Sequence, residues 1–375
     1  MKAGWDVRPL EHCLDRFRVP AKIQRKQFRN AGTFPIVSQE ADFINGYWDE
    51  AADVCVLDRP VVIFGDHTQV LKYVDFDFVV GADGVKVLAP KPFIDAKYLY
   101  YFVMANRAPS LGYARHYRHV KELAISYPDP EEQQRIVAVL DEAFEGLARA
   151  RAHAEANLQN ARELFDSAID HVFGKASEWP SPQISSLGEV FDGPHATPKT
   201  VDDGPLFLGI SSLVDGRIEL TKTRHVTEEN FAKWTRRITP RPRDVVFSYE
   251  TRLGQVGIIP AGMRCCLGRR MGLIRLNPAL IDPEYFVLCY LSPHFQNFLR
   301  SKTIKGATVD RLSIKDFPQF LFPTPSQDQQ AEIVSRVHAI RNLHDNLLKN
   351  AKFKLQDLDD LRQSLLQKAF AGELT

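Results

Sequence analysis

Apolar residues recur at alternating steps of four and three over two long stretches of this chain. In the first, Ile136, Leu140, Ala143, Leu147, Ala150, Ala154, Ala161, Leu164 and Ala168 keep that spacing, with Asn157 interrupting it. In the second, Ile333, Val337, Ile340, Leu347, Ala351, Leu358, Leu361 and Leu365 do the same, with His344 and Lys354 as polar interruptions. Such spacing draws one apolar stripe along a helix and marks a coiled-coil seam. The pattern predicts helices over 131–172 and 327–370, neither with an internal proline. Each follows a segment that closes the preceding unit, Pro128-Asp129-Pro130 or Pro323-Thr324-Pro325. At about 1.5 Å per residue, some forty residues give a rod of roughly 60 Å. The first stripe is rich in alanine and the second in leucine, so small side chains can face large ones. The two helices are expected to pair antiparallel, through Ile136, Leu140, Leu147, Ala154, Ala161 and Leu164 on one side. On the other side stand Ile333, Val337, Ile340, Leu347, Leu358, Leu361 and Leu365.

Ahead of each rod the pattern changes. Short β-branched runs bounded by Gly, Asp and Pro read as strands: Pro60–Phe64, Phe78–Val80 and Val85–Leu88, then Val245–Phe247, Val256–Ile259 and Gly272–Leu276. Helical segments follow near 96–106 and 283–300. Strands first and helices later indicate α+β units.

The two halves repeat. Pro128, Ile136, Val137, Ser167 and Phe173 recur as Pro325, Ile333, Val334, Ser364 and Phe370, all at an offset of 197. Upstream the offset drifts: Leu10 pairs with Leu187 at 177, Phe64 with Phe247 at 183, Ile94 with Ile281 at 187. A constant offset marks an element of fixed length, and a drifting one marks loops that absorb insertions. The chain therefore divides into globular units at 1–126 and 177–322, each followed by a helical spacer, at 127–176 and 323–375, with an internal pseudo-twofold repeat.

Charge modifies this picture slightly. Residues 1–126 carry 17 basic and 15 acidic side chains, residues 180–322 carry 19 and 14, and the first rod, 127–174, carries 4 and 10. If a polyanion is bound, the globular parts bind it. The five cysteines, Cys13, Cys55, Cys265, Cys266 and Cys289, lack zinc spacing and read as thiols of a reducing compartment. No run of about eighteen apolar residues occurs, and the first residues lack the apolar core of a signal peptide. A cytoplasmic protein without a membrane segment is expected.

Several motifs then stand in one order: Phe64-Gly65-Asp66-His67-Thr68, Glu132-Gln133-Gln134-Arg135-Ile136-Val137, Asp192 to Lys199 (DGPHATPK), Val246 to Gly254 (VFSYETRLG) and Gly306-Ala307-Thr308-Val309. Together they resemble the specificity subunit of type I DNA restriction–modification enzymes, over essentially the whole chain. The resemblance implies two target-recognition domains, each reading one half of a split DNA sequence. The paired helices would fix the gap between the halves and dock methyltransferase subunits, two of them expected. It also implies restriction/translocase partners, with S-adenosylmethionine, ATP and Mg held by partner subunits and no cofactor in this chain.

Polar loop residues suit DNA contact, because phosphates and base edges need presented donors. In the first unit the candidates are Arg18, Lys22, Arg25, Lys26, His67, Thr68, Lys72, Arg115 and Arg118. In the second they are His195, Thr197, Lys199, Tyr249, Thr251, Arg252, Arg269, Arg270 and Lys305. Asp66 and Glu250 read as braces for neighbouring arginines. No catalytic residue is expected. Asp282-Pro283-Glu284-Tyr285 resembles an amino-methyltransferase tetrapeptide but lacks its second proline, and no glycine-rich cofactor loop follows a strand. Asp141-Glu142-Ala143 resembles a helicase motif, yet there is no phosphate-binding G-x-x-x-x-G-K-[ST]. Histidines are scattered without metal-ligand spacing. Two further readings stay open: the reader of a related modification or phage-defence system, and a protein-binding coiled-coil scaffold.

Overall fold

The computed structural model describes residues 4–108, 115–305 and 310–374. The chain forms two compact units, Met1–Ala156 with Ala351–Thr375, and Asn157–Asn350. Both divisions fall inside long helices, so each unit contains part of each helix. The helices are α1 Ala96–Ala105, α2 Tyr117–Glu122, α3 Pro130–Phe173, α4 Ile184–Leu187, α5 Glu228–Trp234, α6 Pro283–Leu291, α7 Pro293–Ser301 and α8 Gln327–Ala371.

In the first unit an antiparallel sheet runs in the order Leu14–Asp15, Val85–Pro90, Val61–Gly65, Leu71–Val74. The run Val61–Phe64 is apolar throughout because both faces of this central strand are covered. Val62 and Phe64 pack toward α1, while Val61 and Ile63 pack toward Val37, Phe78 and Val80. Val37 and Val80 belong to a second, mixed sheet ordered Lys22–Gln24, Val79–Ala82, Phe34–Val37, Gly46–Trp48, and Phe78 immediately precedes its second strand.

The second unit repeats the principal sheet: Gly188–Asp192, Met271–Leu276, Val245–Ser248, Val256–Ile258. Val245 and Phe247 again face one cluster and Val246 another. A three-stranded sheet, Arg224–His225, Val201–Leu208, Cys265–Leu267, completes its outer part. The helical segment expected over 283–300 is two helices, because Ser292 ends α6 and its hydroxyl caps α7 at Phe295.

One polar clamp ties each sheet to its rod. In the first unit Asp95 caps α1, accepting from Lys97 and Tyr98 backbone N–H at 2.8 and 2.9 Å. The buried Gln133 side chain accepts from the Asp95 N–H at 2.8 Å and donates to the carbonyls of Phe93 and Pro128, both at 2.9 Å. The second unit has the same arrangement. Asp282 caps α6, and Gln330 accepts from the Asp282 N–H at 2.8 Å and donates to the carbonyls of Leu280 and Pro325. Tyr98 and Tyr285 complete the likeness by donating to the carbonyls of Ser126 and Pro323. The repeat seen in the sequence is thus a repeat of contacts.

Within each unit the helices pair antiparallel. In the first, Ile136 and Leu140 near the start of α3 share a cluster with Leu366 and Ala369 near the end of α8. Arg151 also bonds Asp359 at 2.6 Å. In the second, Val172 and Phe173 near the end of α3 meet Ile333 and Val337 near the start of α8. There the Phe165 ring lies 4.5 Å from the His344 ring.

The seam departs from a strict heptad. Ile136, Leu140, Ala154, Ala161, Ile333 and Val337 are buried, and Leu147, Ile340, Leu358 and Leu365 are partly buried. Leu164, Leu361 and Leu347, placed in the seam by the heptad reading, are instead 59%, 48% and 39% exposed. Phe165, Leu348 and Leu366 turn inward in their place. An unsupercoiled α-helix drifts about 20° per heptad, so inward positions recur more nearly every eleven residues. On α8 they do so: Ile333, His344, Leu355 and Leu366 all face in at that interval. Lys354 is therefore not an interruption, since the seam passes through Leu355.

Candidate nucleic-acid interface

In the first unit the candidates gather around the turn that leaves the central strand. Asp66 is buried, its carboxylate accepts from the Tyr117 N–H at 2.9 Å, and its carbonyl accepts from the His116 N–H at 2.8 Å. It braces the segment that carries Arg115, not an arginine side chain as expected. Thr68 donates through Oγ1 to the Gln39 carbonyl at 2.7 Å, and the His67 N–H donates to the Gln39 side chain at 3.3 Å. Beside Gln39, Glu40 pairs with Arg25 at 3.8 Å. A Cβ on Gly65 would stand 2.3 Å from Thr68 Oγ1 and 2.8 Å from Gln39 Cβ, so this approach requires glycine. The structure thereby brings His67, Thr68, Arg25 and Arg115 to one surface. Lys22 reaches toward the Val85 carbonyl at 3.5 Å, and Arg18 and Lys26 are exposed. Arg118 is engaged on α2 by Glu122 at 2.9 Å.

Lys72 departs from the expectation of an outward contact. It is only 3% exposed, and its ammonium donates to the carbonyls of Asp42 and Phe43 and to Asn45 Oδ1. Burial pushes its pKa down to about 8, against the opposing pull of Glu40 and Asp42. Its role is to hold the loop 38–45, whose tip exposes Phe43 and Ile44. That loop joins the surface through Gln39 and Glu40, and no motif in it drew notice. Its only signal was a Gly- and Asn-bearing turn between two strands.

In the second unit Asp192 organises the corresponding region. Its carboxylate accepts from the Tyr249 hydroxyl at 3.0 Å and meets His195 Nε2 at 2.9 Å. Tyr249 is buried, and burial together with the Asp192 bond raises its hydroxyl well above the ordinary tyrosine range, so it donates inward. Glu250 forms an ion pair with Arg270 across 2.8 Å, and the Arg270 guanidinium donates to Thr251 Oγ1 at 3.2 Å. Glu250 therefore orients Arg270 as a brace. Thr251 and Arg270 both have positive φ, of 67° and 70°, which holds this corner in an uncommon backbone conformation. Arg252, Arg269, Thr197, Lys199 and Lys305 are exposed. The motif Gly306-Ala307-Thr308-Val309 lies outside the described residues.

Residues 3–153 match the model of the type I restriction modification DNA specificity domain. The chain is also similar to two curated specificity subunits of Escherichia coli type I restriction enzymes. It is 28% identical to that of EcoBI over 175 residues, 47% of this chain and 36% of that protein. To that of EcoR124I/EcoR124II it is 24% identical over 349 residues, 86% of this chain and 83% of that one. Through residues 3–153 this chain is similar to the type I restriction modification DNA specificity domain, and through 86% of its length to a curated specificity subunit. Its fold is that of a chain in a solved structure concerned with complex assembly and conformational transition of the type I restriction–modification system. The two are 19% identical, with a TM-score of 0.72 over 100% of this chain and 99% of the other. The match to EcoBI spans about a third of that subunit's length.

The second unit also holds basic residues that stand in none of the motifs. Lys233, Arg236 and Arg237 line a cleft of roughly 320 Å³ with Trp234, Asp192 and His195. The signal was present as Lys233-Trp234-Thr235-Arg236-Arg237, three cations around one aromatic residue. Among the described residues no cluster of His, Cys, Asp and Glu is arranged to hold a metal ion. No described helix is long and apolar enough to cross a membrane.

Proposed function

We propose that this subunit reads a bipartite DNA sequence and directs adenine methylation and cleavage by partner subunits, performing no chemistry itself. The observation that carries this reading is the pairing of like scaffold with unlike loops. The two units share a sheet order and a glutamine clamp, while the residues around the shared Thr68 and Thr251 differ, with Gly65-Asp66-His67 in one and Ser248-Tyr249-Glu250 in the other. Two similar readers with different loops suit two half-sites that are not copies of each other. The long paired helices suit a spacer that sets the gap. S-adenosylmethionine, ATP and Mg belong to the partners in this reading, which comprise methyltransferase subunits, two of them, and restriction/translocase subunits, in the cytoplasm.

The test is methylation of a randomised DNA library by the chain assembled with its methyltransferase partners. His67→Ala should relax bases in one half of the methylated motif and Arg270→Ala bases in the other. Each lost base contact should cost about 1–3 kcal/mol of discrimination. If either substitution altered both halves together, the assignment of one half-site to each unit would fail.

A further inference from the structure

Four arginines of the second unit are tied to carboxylates. Arg243 is paired with Asp282, Arg264 with Glu228, Arg270 with Glu250 and Arg275 with Asp244. Lys233, Arg236 and Arg237 are different. All three are exposed, and none forms a hydrogen bond or ion pair among the described residues. Lys233 lies over the Trp234 ring at 5.4 Å, which leaves its charge free for an anion. They share their cleft with one carboxylate, Asp192, and both oxygens of that group are already engaged by Tyr249 and His195. The Trp234 ring lines the cleft with its indole nitrogen enclosed, so the ring gives the cations an apolar floor. The cluster sits where α5 ends, and the negative end of a helix dipole helps to gather cations there.

Resting on the DNA-reading function above, we infer that Lys233, Arg236 and Arg237 grip the sugar–phosphate backbone beside the half-site read by the second unit. Backbone rather than bases is indicated because no carboxylate or amide holds these cations in the fixed fork that base reading needs, unlike Arg270 on Glu250. Unbraced exposed cations suit phosphate, which demands charge more than direction. The cleft also adjoins His195, so backbone grip and reading loop form one continuous surface.

The experiment measures DNA affinity of the chain assembled with its methyltransferase partners at several salt concentrations, on its methylated motif and on scrambled DNA. Lys233→Ala, Arg236→Ala and Arg237→Ala should each reduce the log–log salt slope by about 0.9, and the triple variant by about 2.7. A fourfold rise in salt should then weaken the triple variant about 40-fold less than the wild type. The loss should be alike on both DNAs, the methylated motif should stay the same, and Arg236→Lys and Arg237→Lys should keep the slope. An unchanged slope in the triple variant, with folding verified by its melting transition, would overturn the inference. So would a changed motif, which would make these residues base readers. Wild-type assembly that failed to bind DNA at all would instead overturn the underlying function.

Discussion

Gln133 and Gln330 are each buried with three hydrogen bonds to backbone groups that would otherwise lack partners. Gln330→Leu would strand one N–H and two carbonyls, at about 1–3 kcal/mol for each group. A loss of roughly 3 kcal/mol or more in denaturant unfolding is expected; a loss below about 1 kcal/mol would show the clamp to be incidental. Lys72 makes a pH-dependent prediction. Its folded pKa lies below the ordinary value of 10.5, at about 8, so between these values the unfolded chain holds the extra proton. Stability from this group must therefore rise with pH through that window and be least below it. Wild type compared with Lys72→Met should gain stability between about pH 8 and 10.5. Parallel profiles for the two proteins would contradict the assignment. The sequence could not place Lys72 inside, because its alternation in Leu71–Val74 reads as a strand with an outward lysine. Only the fold shows the loop 38–45 closing over it.

The long helices were legible from spacing and from the absence of proline, and their ends fall within a residue or so of expectation. Their inward faces were less so. A heptad template assigned Leu164, Leu347 and Leu361 to the seam, while the geometry of a straighter helix turns their neighbours inward. Mutations separate the two patterns. Leu366→Ala, in the buried seam, should cost about 2–5 kcal/mol, whereas Leu361→Ala should change stability by no more than about 0.5 kcal/mol. Equal losses at both sites would restore the heptad. The recognition surfaces were legible only in part. His67, Thr68, Tyr249 and Thr251 stand in motifs, while Lys233, Arg236 and Arg237 stand in none and meet His195 only through folding.

Across the whole molecule, positive charge is modest. The globular stretches carry 17 basic against 15 acidic residues and 19 against 14, and four arginines of the second unit are already paired internally. With few free cations to displace counterions, the chain alone should bind DNA weakly and gain specificity once methyltransferase subunits enclose the duplex. Nanomolar sequence-specific binding by the isolated chain at physiological salt would oppose this. The most direct measurement for the account as a whole is a genome-wide map of N6-methyladenine in cells that carry the partner methyltransferase, with and without this gene. The account predicts that one methylated motif, two unlike half-sites separated by a fixed gap, disappears with the gene and returns with it. An unchanged set of methylated motifs in its absence would contradict it.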